Sequence, residues 1–412
     1  MCDYGRPIIL EEFGCSNCYV SPQHQADYYR IAYHCAFLSG CVGTLSWCYS
    51  DFDLPYQRPY SHHVHELFFG VTKADGSVKE AGYEIKRFSK IMEYIDVEET
   101  EIQKSEVLIT VPSFYIFDYP YTHEDKDMIR KVLLQSYTLT KQAHVNAYFL
   151  PEPELPREIE SSEIISIPED TKLLISPNTN KLTAPFWEAI YKYVEKGGVF
   201  YCSFKNDMWI NLFEELFGAK HLLRYGLADI PEENIEIEFT DDFFDISKGE
   251  KFTYERKGNT RSNAFCPLET TKAEILAVDK EKRPAIILNS IGKGKVIFSA
   301  YPIEYYLANS QEVYKNDETH RFYKGLLGIA KIEPSFDTDN PLVELGIVKI
   351  KGKATLLLWI INHSWERATG SILTNLNIEK VSDLESGESI KFNKLIPFNL
   401  DKKQVKVYKV EI

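Results

Sequence analysis

Two hydrophobic periods alternate along the first hundred residues. Residues 6–13 (Arg-Pro-Ile-Ile-Leu-Glu-Glu-Phe) form a short apolar run ending in two carboxylates, the pattern of a buried strand, and Gly14 opens a loop. From Gln23 to Ser39 the period becomes helical, with Tyr28, Ile31, Ala32, Cys35 and Leu38 on one face, and Gly40 ends the helix. A second short apolar strand spans 42–49. A polar, aromatic loop follows, and residues 78–94 form another amphipathic helix. Strand, helix, strand, helix with short links predicts two consecutive β/α units of a parallel sheet.

The acidic stretch 93–104 marks a boundary. Beyond it the same alternation continues: strands at 107–111, 144–150, 172–176 and 199–203, helices at 124–142 and 183–196, and a proline-rich loop at 151–156. This predicts a doubly wound α/β domain over 98–334. Within it, residues 219–300 are strand-rich and less regular, Gly292-x-Gly294 makes a hairpin turn, and a helix closes the domain at 318–330. After Pro334 the period is that of strands, at 343–349, 354–362, 370–376 and 405–410, which predicts a small all-β sandwich over 335–412.

Composition narrows the function. The formal net charge of -14 speaks against nucleic acid and anionic membranes as partners, because both require a basic surface. No apolar run is long enough to span a bilayer. The first residues lack the basic and apolar regions of a secretion signal, so the expected location is cytoplasmic. An aromatic content of 13% suits either a thick aromatic core or a protein that stacks sugar rings. Six of the eight cysteines precede residue 50: Cys2, Cys15, Cys18, Cys35, Cys41 and Cys48, with Cys202 and Cys266 beyond. Cys15-Ser-Asn-Cys18 has metal or redox spacing, but no second pair or histidine set in register accompanies it. Reduced, structural thiols are expected, with no cofactor and no metal.

The candidate chemistry lies in two segments. Ile8-Ile-Leu-Glu-Glu-Phe-Gly14 sets Glu12 at the C-terminal end of a strand, and Gly43-Thr-Leu-Ser-Trp47 sets Trp47 at the end of the next. Barrel active sites gather at such ends. A carboxylate beside an indole face suits a retaining glycosidase, in which the carboxylate attacks the anomeric carbon and the ring supports the sugar. Alternation along the strand turns Glu11 to the other side. Ser61-His-His-Val-His-Glu66 adds His62, His63, His65 and Glu66 as candidates to line a sugar subsite, with helix capping and metal binding as the other roles open to them.

Together these segments resemble the last two strands of clan A glycoside hydrolases, especially family 5 mannanases and cellulases. Glu-Glu-Phe-Gly resembles that clan's strand-7 nucleophile motif, and Leu45-Ser-Trp-Cys-Tyr-Ser-Asp51 its strand-8 motif. The resemblance implies a partial (β/α)8 barrel over 1–97, with Glu12 as nucleophile and Trp47, Tyr49 and Asp51 beside the sugar. It also exposes a gap. It supplies two strands of eight, and no Asn-Glu pair of the kind that carries the clan's general acid occurs in the sequence. An upstream barrel segment or a second chain is therefore the expected partner, along with an oligosaccharide or polysaccharide. Tyr193-Val-Glu-Lys-Gly-Gly-Val-Phe200 and Gly292-Lys-Gly-Lys-Val-Ile-Phe-Ser-Ala-Tyr-Pro302 resemble the flavodoxin-like trimerisation domain of family 42 β-galactosidases, which implies a homo-oligomer.

That fold is shared with class I glutamine amidotransferases, which place a nucleophilic Cys on a Gly-flanked turn after a strand. Here the turn after residue 176 carries no Cys, and Cys202 sits within a strand. The expected function is a retaining glycoside hydrolase of β-mannanase, endoglucanase or β-galactosidase type. The alternative is a catalytically inactive scaffold for oligomerisation or carbohydrate binding. In the last module Trp359, His363 and Trp365 are candidates for a sugar-binding face.

Overall fold

A computed structural model of the chain describes residues 7–96, 98–102, 105–117, 126–153, 165–178, 182–204, 210–222, 228–229, 234–256, 264–310 and 317–412. Cys2, the first two residues of the helix expected at 124–142, and the 151–156 loop beyond residue 153 lie outside the described residues. The chain divides into two compact units. One joins Asp3–Lys104 with Pro334–Ile412; the other is Ser105–Glu333. The β-rich segment expected as a separate module at 335–412 thus shares a unit with the first hundred residues.

In the first unit, strand β1 (Ile8–Phe13) pairs in parallel with β2 (Cys41–Ser46), and helix α1 (Pro22–Leu38) forms the crossover. Ser21 caps α1 by accepting a hydrogen bond from the His24 amide, and Pro22 fits the first helical position because its missing N–H would have no partner there. Helix α2 (Glu80–Met92) packs on α1. One face of the strand pair is sealed by Leu10 and Phe13 against Tyr29, Tyr33, Ala81, Ile85 and Phe88. Ile9, Val42 and Leu45 remain exposed.

The C-terminal part of this unit is built of antiparallel strands in two sheets. Five antiparallel strands stand in the order Lys380–Asp383, Val405–Glu411, Thr355–Asn362, Val343–Ile350, Thr100–Ile102. They share a core with a three-stranded sheet of Phe336–Asp337, Ala368–Thr374 and Leu395–Leu400. The acidic stretch 93–104, at whose end the two units divide, also carries the strand Thr100–Ile102: Ile102 sits opposite Val348 and Thr100 opposite Ile350, which adds an edge strand to this sheet. The central strand Thr355–Asn362 is covered on both sides. Leu356, Leu358 and Ile360 enter the sandwich core, while Leu357, Trp359 and Ile361 join Leu38 and Ile91 of the two helices. The period-2 alternation of a strand therefore serves two cores at once.

Trp359 shows what this packing demands. It is fully buried, and its Nε1 donates to His34 Nδ1 at 3.0 Å. It is core and not a sugar platform, contrary to its candidacy for a binding face. Burial, with the Arg87 and Arg30 guanidinium groups nearby, pushes His34 from 6.5 down to about 3, so the ring is neutral and its Nδ1 is free to accept.

The second unit carries a nine-stranded mixed sheet. Its parallel part runs Tyr148–Pro151, Val107–Val111, Leu173–Ser176, Val199–Ser203, Gly294–Ser299. Counted along the chain this is the order 2-1-3-4-5 of flavodoxin-type doubly wound sheets. Four antiparallel strands, Pro284–Ile291, Glu274–Asp279, Asn234–Phe239 and Lys251–Glu255, extend one side. Gly292 and Lys293 form the tight turn between Pro284–Ile291 and Gly294–Ser299, with Gly292 at φ 54. The strand expected at 144–150 begins only at Tyr148, because the turn at His144 (φ 60) leads out of helix Lys126–Gln142.

A histidine that is neutral when folded and titrates freely when unfolded makes stability pH-dependent. Its contribution is complete above pH 6.5 and is lost as pH falls toward about 3. Denaturant unfolding of the first unit is therefore expected to show lower stability at pH 5 than at pH 7, and His34→Gln should flatten that difference. Trp359→Phe, which strands the His34 acceptor, should cost about 1–3 kcal/mol at pH 7.

Candidate active site

The C-terminal ends of β1 and β2 are joined by the backbone. The Trp47 amide donates to the Phe13 carbonyl at 2.9 Å, and Tyr29 Oη donates to the Trp47 carbonyl at 3.1 Å. Gly14 lies so close that a Cβ there would overlap the Trp47 carbonyl oxygen. Glycine is thus required by close approach, and the approach fixes where Trp47 stands relative to Glu12.

Glu12 itself is unusual. The β1–β2 register shifts between Glu11 and Phe13, and Glu12 has φ 51, in the left-handed region. It is the extra residue of a bulge, the device by which a strand re-aims a side chain. The strict alternation expected for Glu11 and Glu12 does not hold: both are exposed. Such backbone conformations cost about 1–3 kcal/mol and concentrate at functional sites.

Trp47, 39% exposed, is oriented by its loop. Its Nε1 donates to Glu66 Oε2 at 3.2 Å, and Glu66 Oε1 lies 3.4 Å from His65 Nε2. His65 stacks on Tyr19 at 5.7 Å, meets the edge of His63 at 5.7 Å, and its carbonyl accepts the Ser16 hydroxyl at 2.7 Å. Four of the expected residues, Trp47, His63, His65 and Glu66, therefore form one connected group. Tyr19, 74% exposed, belongs to it and carried no sequence signal beyond an aromatic next to Cys18. Tyr49 is 79% exposed, with its carbonyl pinned by Thr72. Asp51 is committed elsewhere: it accepts from the buried Lys79 ammonium at 2.6 Å, which also donates to Asn17 Oδ1 at 3.0 Å. His62 and His63 are exposed, and His63 precedes the short helix Val64–Phe68 without a side-chain cap. Cys15 and Cys18 are both free thiols.

In the second unit, the crevice between the first and third parallel strands is where doubly wound folds bind ligands. Here the protein's own Glu152 fills that role. It is 2% exposed and accepts from the amide and hydroxyl of Ser113 and of Thr183, at 2.5 to 2.8 Å. Deeper, Glu304 accepts from Tyr201, Ser203 and Tyr323, and burial pushes its carboxyl up. Cys202 is fully buried, its thiol pushed well up by burial, Glu304 and Cys266. A buried thiol held protonated is no nucleophile.

No protein-family profile matches the chain, and neither does any curated protein. Solved structures do. A GH42 β-galactosidase from G. stearothermophilus superposes with a TM-score of 0.63 at 15% identity, over 94% of this chain and 51% of that one. A β-galactosidase from Bacillus circulans sp. alkalophilus gives 0.67 at 13% identity, over 98% and 55%. An exo-β-1,4-mannosidase from Opitutaceae bacterium strain TAV5 gives 0.57 at 18% identity, over 79% and 52%. The fold is that of glycoside hydrolases, and the chain spans about half the length of the structures it matches. Among the described residues no helix is long and apolar enough to cross a membrane.

The contact at Gly14 gives a direct check. Gly14→Ala is expected to destabilise the first unit by about 1–3 kcal/mol through overpacking against backbone that cannot move away. It should also change the Trp47 environment, read by near-ultraviolet circular dichroism and urea unfolding.

Proposed function

We propose that this chain is part of a retaining β-glycosidase of β-mannanase, endoglucanase or β-galactosidase type, with Glu12 as nucleophile. The observation that carries the reading is the bulge that presents the Glu12 carboxylate at the end of β1, one strand away from an indole held by Glu66. In this mechanism Glu12 attacks the anomeric carbon and forms a glycosyl–enzyme bond while a second carboxyl protonates the leaving oxygen. The two carboxyls stand about 5–5.5 Å apart. Trp47 supports the sugar ring, and Tyr19, Tyr49, His62, His63 and His65 flank it.

The second carboxyl comes, in this proposal, from further β/α units outside residues 1–412, upstream or on a second chain. The exposed Ile9, Val42 and Leu45, and a β1–β2 sheet with no third strand among the described residues, support such a completion, since a parallel sheet is ordinarily covered on both faces. By itself the chain is then inactive. The second unit, its crevice closed by Glu152, serves packing and homo-oligomerisation.

The test is hydrolysis of β-linked mannan, glucan and galactosides by the natural assembly. Glu12→Gln should lower kcat by roughly 10³-fold or more, the scale of losing a covalent nucleophile. Trp47→Ala should act mainly on KM. Turnover that survives Glu12→Gln would sink the assignment, and an assembly with no turnover on any substrate would favour a carbohydrate-binding or oligomerising scaffold.

A further inference from the structure

Away from the Glu12 end of the strand pair, three side chains of different chemistry converge inside the first unit. Cys35 comes from α1, Glu344 from strand Val343–Ile350, and His363 from the turn after Thr355–Asn362. Their ligand atoms all lie within 4.8 Å of one another. Cys35 Sγ is 3.7 Å from Glu344 Oε2, and His363 Nε2 donates to the same oxygen at 2.7 Å. We propose that Cys35, Glu344 and His363 form a binding site for a zinc-class divalent ion, with a water or hydroxide in the fourth position. The proposal is independent of the glycosidase reading.

The donor set suits the ion. Thiolate, imidazole and carboxylate are the three ligand types of borderline-soft zinc, and three protein ligands leave one tetrahedral position open. Bonds of about 2.3 Å to sulfur and about 2.0–2.1 Å to nitrogen and oxygen place tetrahedral ligand atoms about 3.3–3.5 Å apart. The sulfur–oxygen separation is already close to that. The His363–Glu344 contact must open by about 0.6 Å to admit an ion. A plain ion pair explains His363 and Glu344, but it does not explain why a thiol meets the same carboxylate oxygen.

The surroundings hold the ligands in place. Glu344 is 8% exposed. The His363 amide donates to the Leu342 carbonyl at 2.9 Å, and its own carbonyl accepts from Lys403 Nζ. Asn362, fully buried, fixes the turn by donating to the Glu366 and Asp401 carbonyls and accepting from the Ser364 amide. Such outer contacts orient metal ligands. Lys403 is itself held over the Trp365 ring at 4.4 Å. A thiolate and a carboxylate together balance a divalent charge. Bound there, the ion would clamp α1 to the C-terminal sandwich and so stabilise the folded unit.

Cobalt(II) titration of the reduced full-length chain reads the site directly. One equivalent should produce a thiolate-to-cobalt charge-transfer band with tetrahedral visible absorption, and zinc should displace it. Zinc should also raise the melting temperature. Cys35→Ser should abolish the charge-transfer band, and His363→Ala should weaken zinc binding by about 100-fold or more. The double change Cys15→Ser with Cys18→Ser should leave both unaltered. A wild-type chain that shows no charge-transfer band overturns the proposal without recourse to any variant. So does a band that persists in Cys35→Ser or vanishes in the Cys15/Cys18 variant.

Discussion

The parallel pairing of β1 and β2 that places the candidate site depends on the helices that cover it. A two-stranded parallel sheet has no stability of its own, and it exists here because α1 and α2 seal one face with Phe13, Tyr29 and Tyr33. The far side of those helices is sealed in turn by Leu357, Trp359 and Ile361. The candidate active-site strands are thus supported through a helical layer by a sandwich more than 250 residues away in sequence. Arg30 and Arg87 reinforce this layer: Arg30 binds Glu84 and the Lys403 carbonyl, and Arg87 binds Glu385 and the Val405 carbonyl.

The site at the strand ends is organised by position and not by bulk. Gly14 admits the Trp47 backbone, Glu66 orients the Trp47 ring, and Lys79 gathers Asp51 and Asn17 to hold the intervening loop. Glu12 stands apart from these contacts: among the described residues its carboxylate has no hydrogen-bond partner. A charged group without internal commitments, set on a strained bulge, is available for chemistry. The second unit shows the opposite design. Its carboxylates Glu152 and Glu304 are buried and saturated with donors, as groups whose work is structural must be.

What the sequence determined by itself was local. The β/α alternation of the first hundred residues, the doubly wound middle, the hairpin at Gly292 and the strands after Pro334 were legible because each depends on a hydrophobic period or on a residue with a special backbone. So was the placing of Glu12 and Trp47 at strand ends. Long-range pairing left no such trace. Thr100–Ile102 joins a sheet whose other strands begin at Val343, Trp359 turns from surface candidate to buried core, and Cys35, Glu344 and His363 meet across more than 300 residues. The bulge at Glu12 was equally hidden, since its register is set by the neighbouring strand. Period and turn chemistry act within a few residues. Contacts between distant segments depend on which faces remain to be covered once the chain has folded, and only the tertiary structure decides that.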